Sequence, residues 1–387
     1  MKRYNFTENQ LYNISELRNI GVDNSTLLLL EKEKLIEKSG DSIKFVFIGS
    51  YYKKNDHFLV HPKYRNGSSC FFTTKETEIF HNCLLKFSNS IAAPLEEEDS
   101  HYKDIFFVVQ DYCINGLLNS YHRISKNDWS NPSWERIFNQ TPKIINTNLY
   151  WDNPISSSFT LSSQDIKKVH ILSINFLLSQ YPILKTFFTF LSSLPNFSAP
   201  SKEDLCFEIQ KELNKTNLIR EKRVLTSMYN IIKNQNLHNK GLLIGTKNPH
   251  FFFEQLCKRY TNDCSYMWSR YFPKATWLIK GNENKTSSHR PDIIFENNGK
   301  VYLYDAKYYD TNIHQPGIQD ISKQILYKKC IQKIKGNSII HNGFIFPSKN
   351  PEDHFSLETG EVRYDIFGED EVIKVHHQYD IELFKNF

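Results

Sequence analysis

The dipeptide Asn298-Gly299 constrains this chain more than any other pair of residues. Asn-Gly between alternating apolar residues is the strongest short signal for a two-residue hairpin, because a type I′ turn needs positive φ at both central positions. It stands in the middle of "RPDIIFENNGKVYLYDAKYYD", residues 290–310. With that pair as the loop, residue 297 faces 300, Ile294 faces Leu303, Phe295 faces Tyr302 and Asp292 faces Asp305. Directly opposed Cβ atoms lie about 5 Å apart. Alternate residues share a face, so Lys307 lies on the side of Asp305. This register is apolar in the middle and acidic only at its open end.

Two opposed carboxylates repel each other and weaken a strand pair. A cation between them reverses the sign. An all-carboxylate donor set suits Mg²⁺, with Mn²⁺ as a substitute, and Mg²⁺ commonly takes one or two carboxylates plus phosphate oxygens. A lysine beside such a seat can orient a water, help deprotonate it and offset developing charge. Asp292, Asp305 and Lys307 therefore spell phosphodiester hydrolysis. The plain alternative is a solvent-facing hairpin end with an ordinary Asp–Lys pair.

The charge distribution favours a polyanionic ligand at this place. The formal net charge is only +5. Residues 241–350, however, hold sixteen Lys and Arg against eight Asp and Glu, which leaves the rest of the chain net negative. A basic region around the hairpin is what a phosphate backbone needs, although a basic solvated face is the simpler reading. Aromatic residues, 14% of the chain, serve cores and also surfaces that touch bases or other proteins.

A chain of 387 residues can build two or three domains. Residues 1–165 read as a strand-rich domain. Within it, 42–65 forms two strands joined by a polar turn at Lys53 to Asp56, "DIFFVVQDYC" is a further strand, and the acidic run from Glu96 to Asp99 is a solvated loop. Residues 166–237 read as a helical connector and 238–387 as an α/β domain. In that last part Asn248 caps a helix with Pro249 at its first position, and "ATWLIKG" is a strand before the hairpin. A helix ending at Gly336 follows, with Ile318, Ile321, Ile325 and Leu326 inward, and then a buried strand "SIIHNGFIFP". The order is αβββαβ.

Seven cysteines without a C-x-x-C pair argue against a disulfide framework or a structural zinc and favour a reducing cytoplasm. The start of the sequence carries no apolar signal segment. The apolar stretch 170–194 is broken by Pro182 and charged by Lys185, so it reads as two buried helices and no membrane span. H-E-x-x-H, G-x-S-x-G, Rossmann glycine and P-loop signatures are absent from the sequence. Arg290, with His289, is placed to meet phosphates, with a plain solvated loop pair as the alternative, and Lys63, Arg65 and Trp134 are candidates for DNA recognition, although a tryptophan such as Trp134 more often belongs to a core.

With Pro291-Asp292 and Asp305-Ala306-Lys307, the chain resembles the PD-(D/E)xK nucleases, Asp standing at the second acidic position. The resemblance implies a restriction-endonuclease-like core, a further acidic metal ligand on the preceding helix, for which Glu254 is the match, and a Gln and Tyr on the following helix, here Gln324 and Tyr327, that support the lysine or touch DNA. More narrowly it resembles the LlaJI restriction endonucleases, related to McrC-type nuclease subunits, through 45–65, the segment around Trp134, the helical 209–225 and the 290–327 region. That likeness implies a type II-like, Mg²⁺-dependent endonuclease cutting double-stranded DNA in a bacterial restriction–modification system, beside a cognate DNA methyltransferase. It also implies an McrB-like motor partner; lacking a P-loop, this chain is not the motor. One active site nicks one strand, so a homodimer or a partner is expected. Alternatives are a RecB-like repair nuclease, which Gln324 and Tyr327 also match, and a non-catalytic DNA-binding or adaptor subunit.

Overall fold

The Asn298-Gly299 turn has φ of +51° and +74°, the left-handed pair that a type I′ turn demands. Strands Ile293–Asn297 and Lys300–Ala306 run antiparallel from it, with Ile294 opposite Leu303 and Phe295 opposite Tyr302. This computed structural model describes all residues except 1, 54–55, 89–99, 119, 127–131, 133, 146–147, 152–154, 163, 182–183, 185–194, 196–200, 234–240, 275, 280–281, 286–289, 337 and 367–368. The acidic run 96–99, His289 and most of the second apolar helix expected in 170–194 fall outside the described residues.

The hairpin is one edge of a five-stranded sheet. From Lys300–Ala306 the chain crosses through helix Ile318–Lys335 and returns as Ile340–Ser348, parallel to its start. A parallel return needs such a crossover. Glu369–Tyr379 pairs parallel to Ile340–Ser348, and Glu358–Ile366 closes the far edge antiparallel. Two expectations change here. Thr276–Ile279, counted as the first of three core strands, pairs with Asn282–Lys285 in a hairpin of its own and stands outside this sheet. The sheet is completed by the two C-terminal strands, so αβββαβ describes its order only in part.

Helix Ile318–Lys335 covers the face that carries Ile294, Val301 and Leu303, and its Tyr327 and Ile331 join that core. Ile325 packs with Phe344, Phe346 and Ile373. Ile318 and Leu326, expected inward, are 55% and 43% exposed. The buried stripe is centred on Gln324, whose amide Nε2 donates to the carbonyls of Leu303 and Gly343 on adjacent strands. A polar residue whose amide donates to the sheet backbone takes the middle of the stripe, so counting apolar residues alone misplaces it.

Residues 1–94 and 240–387 form one compact unit and 95–239 a second. This differs from the consecutive division at 165 and 237. The reason lies in the strand Leu242–Thr246, which pairs antiparallel with Ile48–Lys53 and so extends the sheet made by Lys2–Thr7, Asp56–His61 and Ile48–Lys53. At the Gly49–Gly245 pair a Cβ on Gly49 would lie 2.2 Å from the Ile244 carbonyl, so only glycine permits this approach. The paired strands expected in 42–65 are present as Ile48–Lys53 and Asp56–His61.

The same unit is drawn together by a buried ion pair. Arg65 Nε and Nη2 each donate at 2.6 Å to the two oxygens of Asp380, and Tyr64 Oη donates to Asp380 at 2.9 Å. Phe80 packs on Phe252 and Phe384.

The second unit contains helices Ser100–Asn115, Gln164–Gln180, Lys202–Lys215 and Ile219–Lys233, with strands Ser120–Lys126 and Ser156–Ser162 paired antiparallel. Residues 104–113, expected as a strand for their β-branched and aromatic run, are helical. Asp104 and Asp111 lie two turns apart and accept from Ser227 and Arg220 of helix Ile219–Lys233, which tertiary contact overrides the local propensity. Among the described residues no helix is long and apolar enough to cross a membrane.

Candidate active site

Two strand ends, one helix start and one neighbouring helix build the acidic centre. Asp292 stands just before strand Ile293–Asn297, and Asp305 lies next to last in Lys300–Ala306. The last strand pair is Ile293 opposite Tyr304, and one residue further along the same register Asp292 comes opposite Asp305. The two strands are held at this end by the Asp292 carboxylate, whose Oδ2 accepts the backbone N–H of Ala306 at 3.1 Å. Asp305 is 2% exposed. Lys307 Nζ lies 2.7 Å from Asp305 Oδ2, as an ion pair without an aligned hydrogen bond, and donates at 2.7 Å to Asp320 Oδ1. Lys323 Nζ lies 3.6 Å from the other Asp305 oxygen.

The electrostatics follow from this crowding. Burial, then the charges of Asp305 and Glu254, push the Asp292 carboxyl up to about 7, against partial relief from Lys323 and the Ala306 N–H. Burial works against the Lys307 ammonium, but Asp305 and Asp320 outweigh it and hold its pKa above the ordinary lysine value. Lys307 is thus a fixed cation at neutral pH.

Glu254 sits on helix Pro249–Thr261 and pairs with Lys258 one turn on, while its charge still reaches Asp292. That helix begins at Pro249 as expected, but the Asn248 side chain makes no capping bond. Among the described residues no group of three or more His, Cys, Asp and Glu is arranged to hold a metal ion. The donor set on hand is the carboxylate pair, with Glu254 turned to its own lysine. Two acids at adjoining strand ends, Asp305 buried and Asp292 half-buried, fit a hard divalent cation by donor chemistry and by charge.

The remaining candidates divide. Gln324 and Tyr327 are both buried, and the Tyr327 hydroxyl donates to the Arg290 carbonyl at 3.2 Å. They brace strands and the approach to Asp292, and their burial is inconsistent with touching DNA. The Arg290 side chain is exposed. Arg65 is locked on Asp380 in the core and is no recognition residue, whereas Trp134 is 54% exposed. Lys63 Nζ lies 5.1 Å above the Tyr308 ring. Asp320 and Lys323 were not legible from the hairpin alone; their signal is the spacing on the crossover helix, where 320, 323 and 324 share a face. Tyr308 is another addition, its hydroxyl donating at 2.7 Å to the buried Glu8.

Fold and site together define a mixed α/β protein with a paired-carboxylate and lysine centre on a sheet edge. The chain belongs to the LlaJI restriction endonuclease family, whose model matches residues 47–380. A curated relative, the type II restriction enzyme BsuMI component YdjA of Bacillus subtilis (strain 168), is 32% identical over 175 residues. That match spans 41% of this chain and 37% of the relative. Among solved structures, a chain of the refined half-complex from a tetradecameric assembly of Thermococcus gammatolerans McrB AAA+ hexamers with bound McrC is similar over 100% of this chain and 98% of its own. There the TM-score is 0.46 and the identity 12%, a likeness that says nothing of activity.

Proposed function

We propose that this protein is a metal-dependent endodeoxyribonuclease of a restriction system, hydrolysing phosphodiester bonds of double-stranded DNA from a PD-(D/E)xK-type centre. The observation that supports the reading is the hairpin register, whose last pair Ile293–Tyr304 leaves Asp292 and Asp305 next on the two strands, with Lys307 paired to Asp305. Membership of a restriction endonuclease family supports it.

Asp292 and Asp305 would hold a Mg²⁺ or Mn²⁺ ion, with Glu254 free to join by releasing Lys258. When bound, such an ion polarises a phosphate oxygen and lowers the pKa of a water. The chain's own contribution is positional. Lys307, kept protonated by two carboxylates, faces charge that develops on the scissile phosphate and orients the attacking water. Asp320 fixes the lysine's direction, Gln324 ties strand Lys300–Ala306 to its parallel neighbour, and Tyr327 holds the approach to Asp292. Basic residues of 241–350, exposed Arg290 among them, hold the DNA backbone and set orientation rather than sequence. Residues 1–165 supply sequence recognition or partner docking.

The curated relative is named a component of a type II restriction enzyme, which supports action within an assembly. A cognate methyltransferase in the same system is part of this reading. An McrB-like motor subunit or a second copy of this chain would complete cleavage of both strands. The reading places the protein in the bacterial cytoplasm. A non-catalytic adaptor is the second reading, favoured by one observation: Lys307, Lys323 and Lys258 already neutralise Asp305 and Glu254.

Plasmid cleavage with Mg²⁺ by wild type, Asp292→Ala, Asp305→Ala and Lys307→Ala separates the two. The nuclease reading expects cutting by wild type alone. Undiminished cutting by the three variants overturns the site assignment. Closed circles against linear DNA tests the RecB-like alternative, since an enzyme of that kind needs an end.

A further inference from the structure

Asp305 is approached by a different lysine at each oxygen. Its Oδ2 lies 2.7 Å from Lys307 Nζ, and its Oδ1 lies 3.6 Å from Lys323 Nζ. The two lysines are held very differently. Lys307 donates to Asp320 Oδ1 at 2.7 Å, and its side chain is 15% exposed. The Lys323 side chain is 37% exposed, and its ammonium makes no hydrogen bond among the described residues. At 3.6 Å its contact with Asp305 is one of charge alone, beyond hydrogen-bond length. The Tyr327 ring, one turn further along the helix, lies 5.7 Å from the same ammonium. Residues 320, 323, 324 and 327 share a helix face, so one face of Ile318–Lys335 brings Lys307 its anion and Asp305 a second cation.

The charge balance gives that second cation a meaning. Asp292, Asp305 and Asp320 bring three negative charges when ionised, and Lys307 and Lys323 bring two positive ones. Glu254 is matched by Lys258. The Lys323 charge also relieves part of the upward push that burial gives the Asp292 carboxyl. A divalent ion together with Lys307 balances the three carboxylates without help. Lys323 is then surplus, and it stands before the Asp305 oxygen that Lys307 leaves open, where like charges repel. A scissile phosphate supplies the anion that a displaced ammonium lacks. The four-carbon stem of a lysine turns to it without moving the helix.

We infer that Lys323 is a displaceable placeholder: it stands before Asp305 Oδ1 in the metal-free protein, yields to the divalent ion, and then contacts the scissile phosphate as a second cation beside Lys307. This rests on the metal seat proposed above and adds a residue to it. One side chain thus opposes the ion and assists the reaction.

The test compares the full chain as wild type, Lys323→Gln, Lys323→Arg and Lys333→Gln. Lys333 is an exposed position further along the same helix, so its variant removes an equal charge away from Asp305. Calorimetric titration with Mn²⁺ alone is expected to show binding about fivefold tighter in Lys323→Gln. Lys323→Arg, which keeps the charge, and Lys333→Gln are expected to stay close to wild type. Single-turnover cleavage of plasmid at saturating Mg²⁺ is expected to fall about tenfold or more in Lys323→Gln and to be largely kept in Lys323→Arg. Tighter metal with slower cleavage is the signature, since a lysine that merely steadied the helix would not tighten the metal. Metal affinity in Lys323→Gln equal to that of wild type overturns the placeholder. An equal gain in Lys333→Gln overturns it as well, because the effect would then belong to overall charge. Tighter metal with undiminished cleavage overturns the phosphate contact. Failure of every form to bind Mn²⁺ sinks the seat and this inference together, whereas binding that Lys323→Gln leaves unaltered sinks this inference and leaves the seat standing.

Discussion

Asp292 and Lys307 carry opposite consequences of one crowded site. A carboxyl held near 7 when folded and near 4 when unfolded keeps a proton that the unfolded chain loses. Metal-free stability from this group is therefore present below about 4 and is lost as pH rises towards 7. Asp292→Asn keeps an oxygen for the Ala306 N–H and removes the charge. At pH 8 it is expected to stabilise the metal-free protein by roughly 1 kcal/mol or more while abolishing cleavage, as read by thermal melts beside the plasmid assay. A lowered melting midpoint would show that Asp292 is a structural anion. Lys307→Ala is expected to slow cleavage by about 10²–10⁴-fold with DNA binding changed far less, measured by single-turnover kinetics and anisotropy. An equal loss of both would reassign the lysine to DNA holding.

At the scale of elements, the hairpin was readable because its determinants are local. A turn that needs two left-handed residues, followed by a side-chain period of two, fixes which residues face each other before any tertiary contact forms. Replacing Gly299 by Val forces a β-branched residue into φ of +74°. It is expected to cost roughly 1–3 kcal/mol and to lower cleavage, a chemical-denaturation midpoint with unchanged activity being the contrary result. What the sequence hid is non-local. Asp320 meets Lys307 only after the crossover helix folds back, and the Arg65–Asp380 pair joins residues 315 apart. Residues 104–113 read as a strand by composition, and partners on helix Ile219–Lys233 make them helical. Arg65→Ala would strand a buried Asp380 carboxylate and is expected to destabilise by about 3–5 kcal/mol in urea titrations. A loss under 1 kcal/mol would mean that water reaches Asp380.

For the molecule as a whole, the family match from 47 to 380 spans the whole of the second compact unit and most of the first. The basic charge is concentrated in the unit that holds the carboxylate pair, which gives that unit the stronger pull on a polyanion. The nuclease reading depends above all on Asp292 and Asp305 forming a seat for a divalent cation. Calorimetric titration of the full chain with Mn²⁺ and Mg²⁺ measures it directly. The predicted result is one saturable site in wild type, binding more weakly as pH falls below about 7 because a proton competes for Asp292, and lost in Asp305→Ala. Absence of binding by wild type, or the same binding by Asp305→Ala, would contradict it.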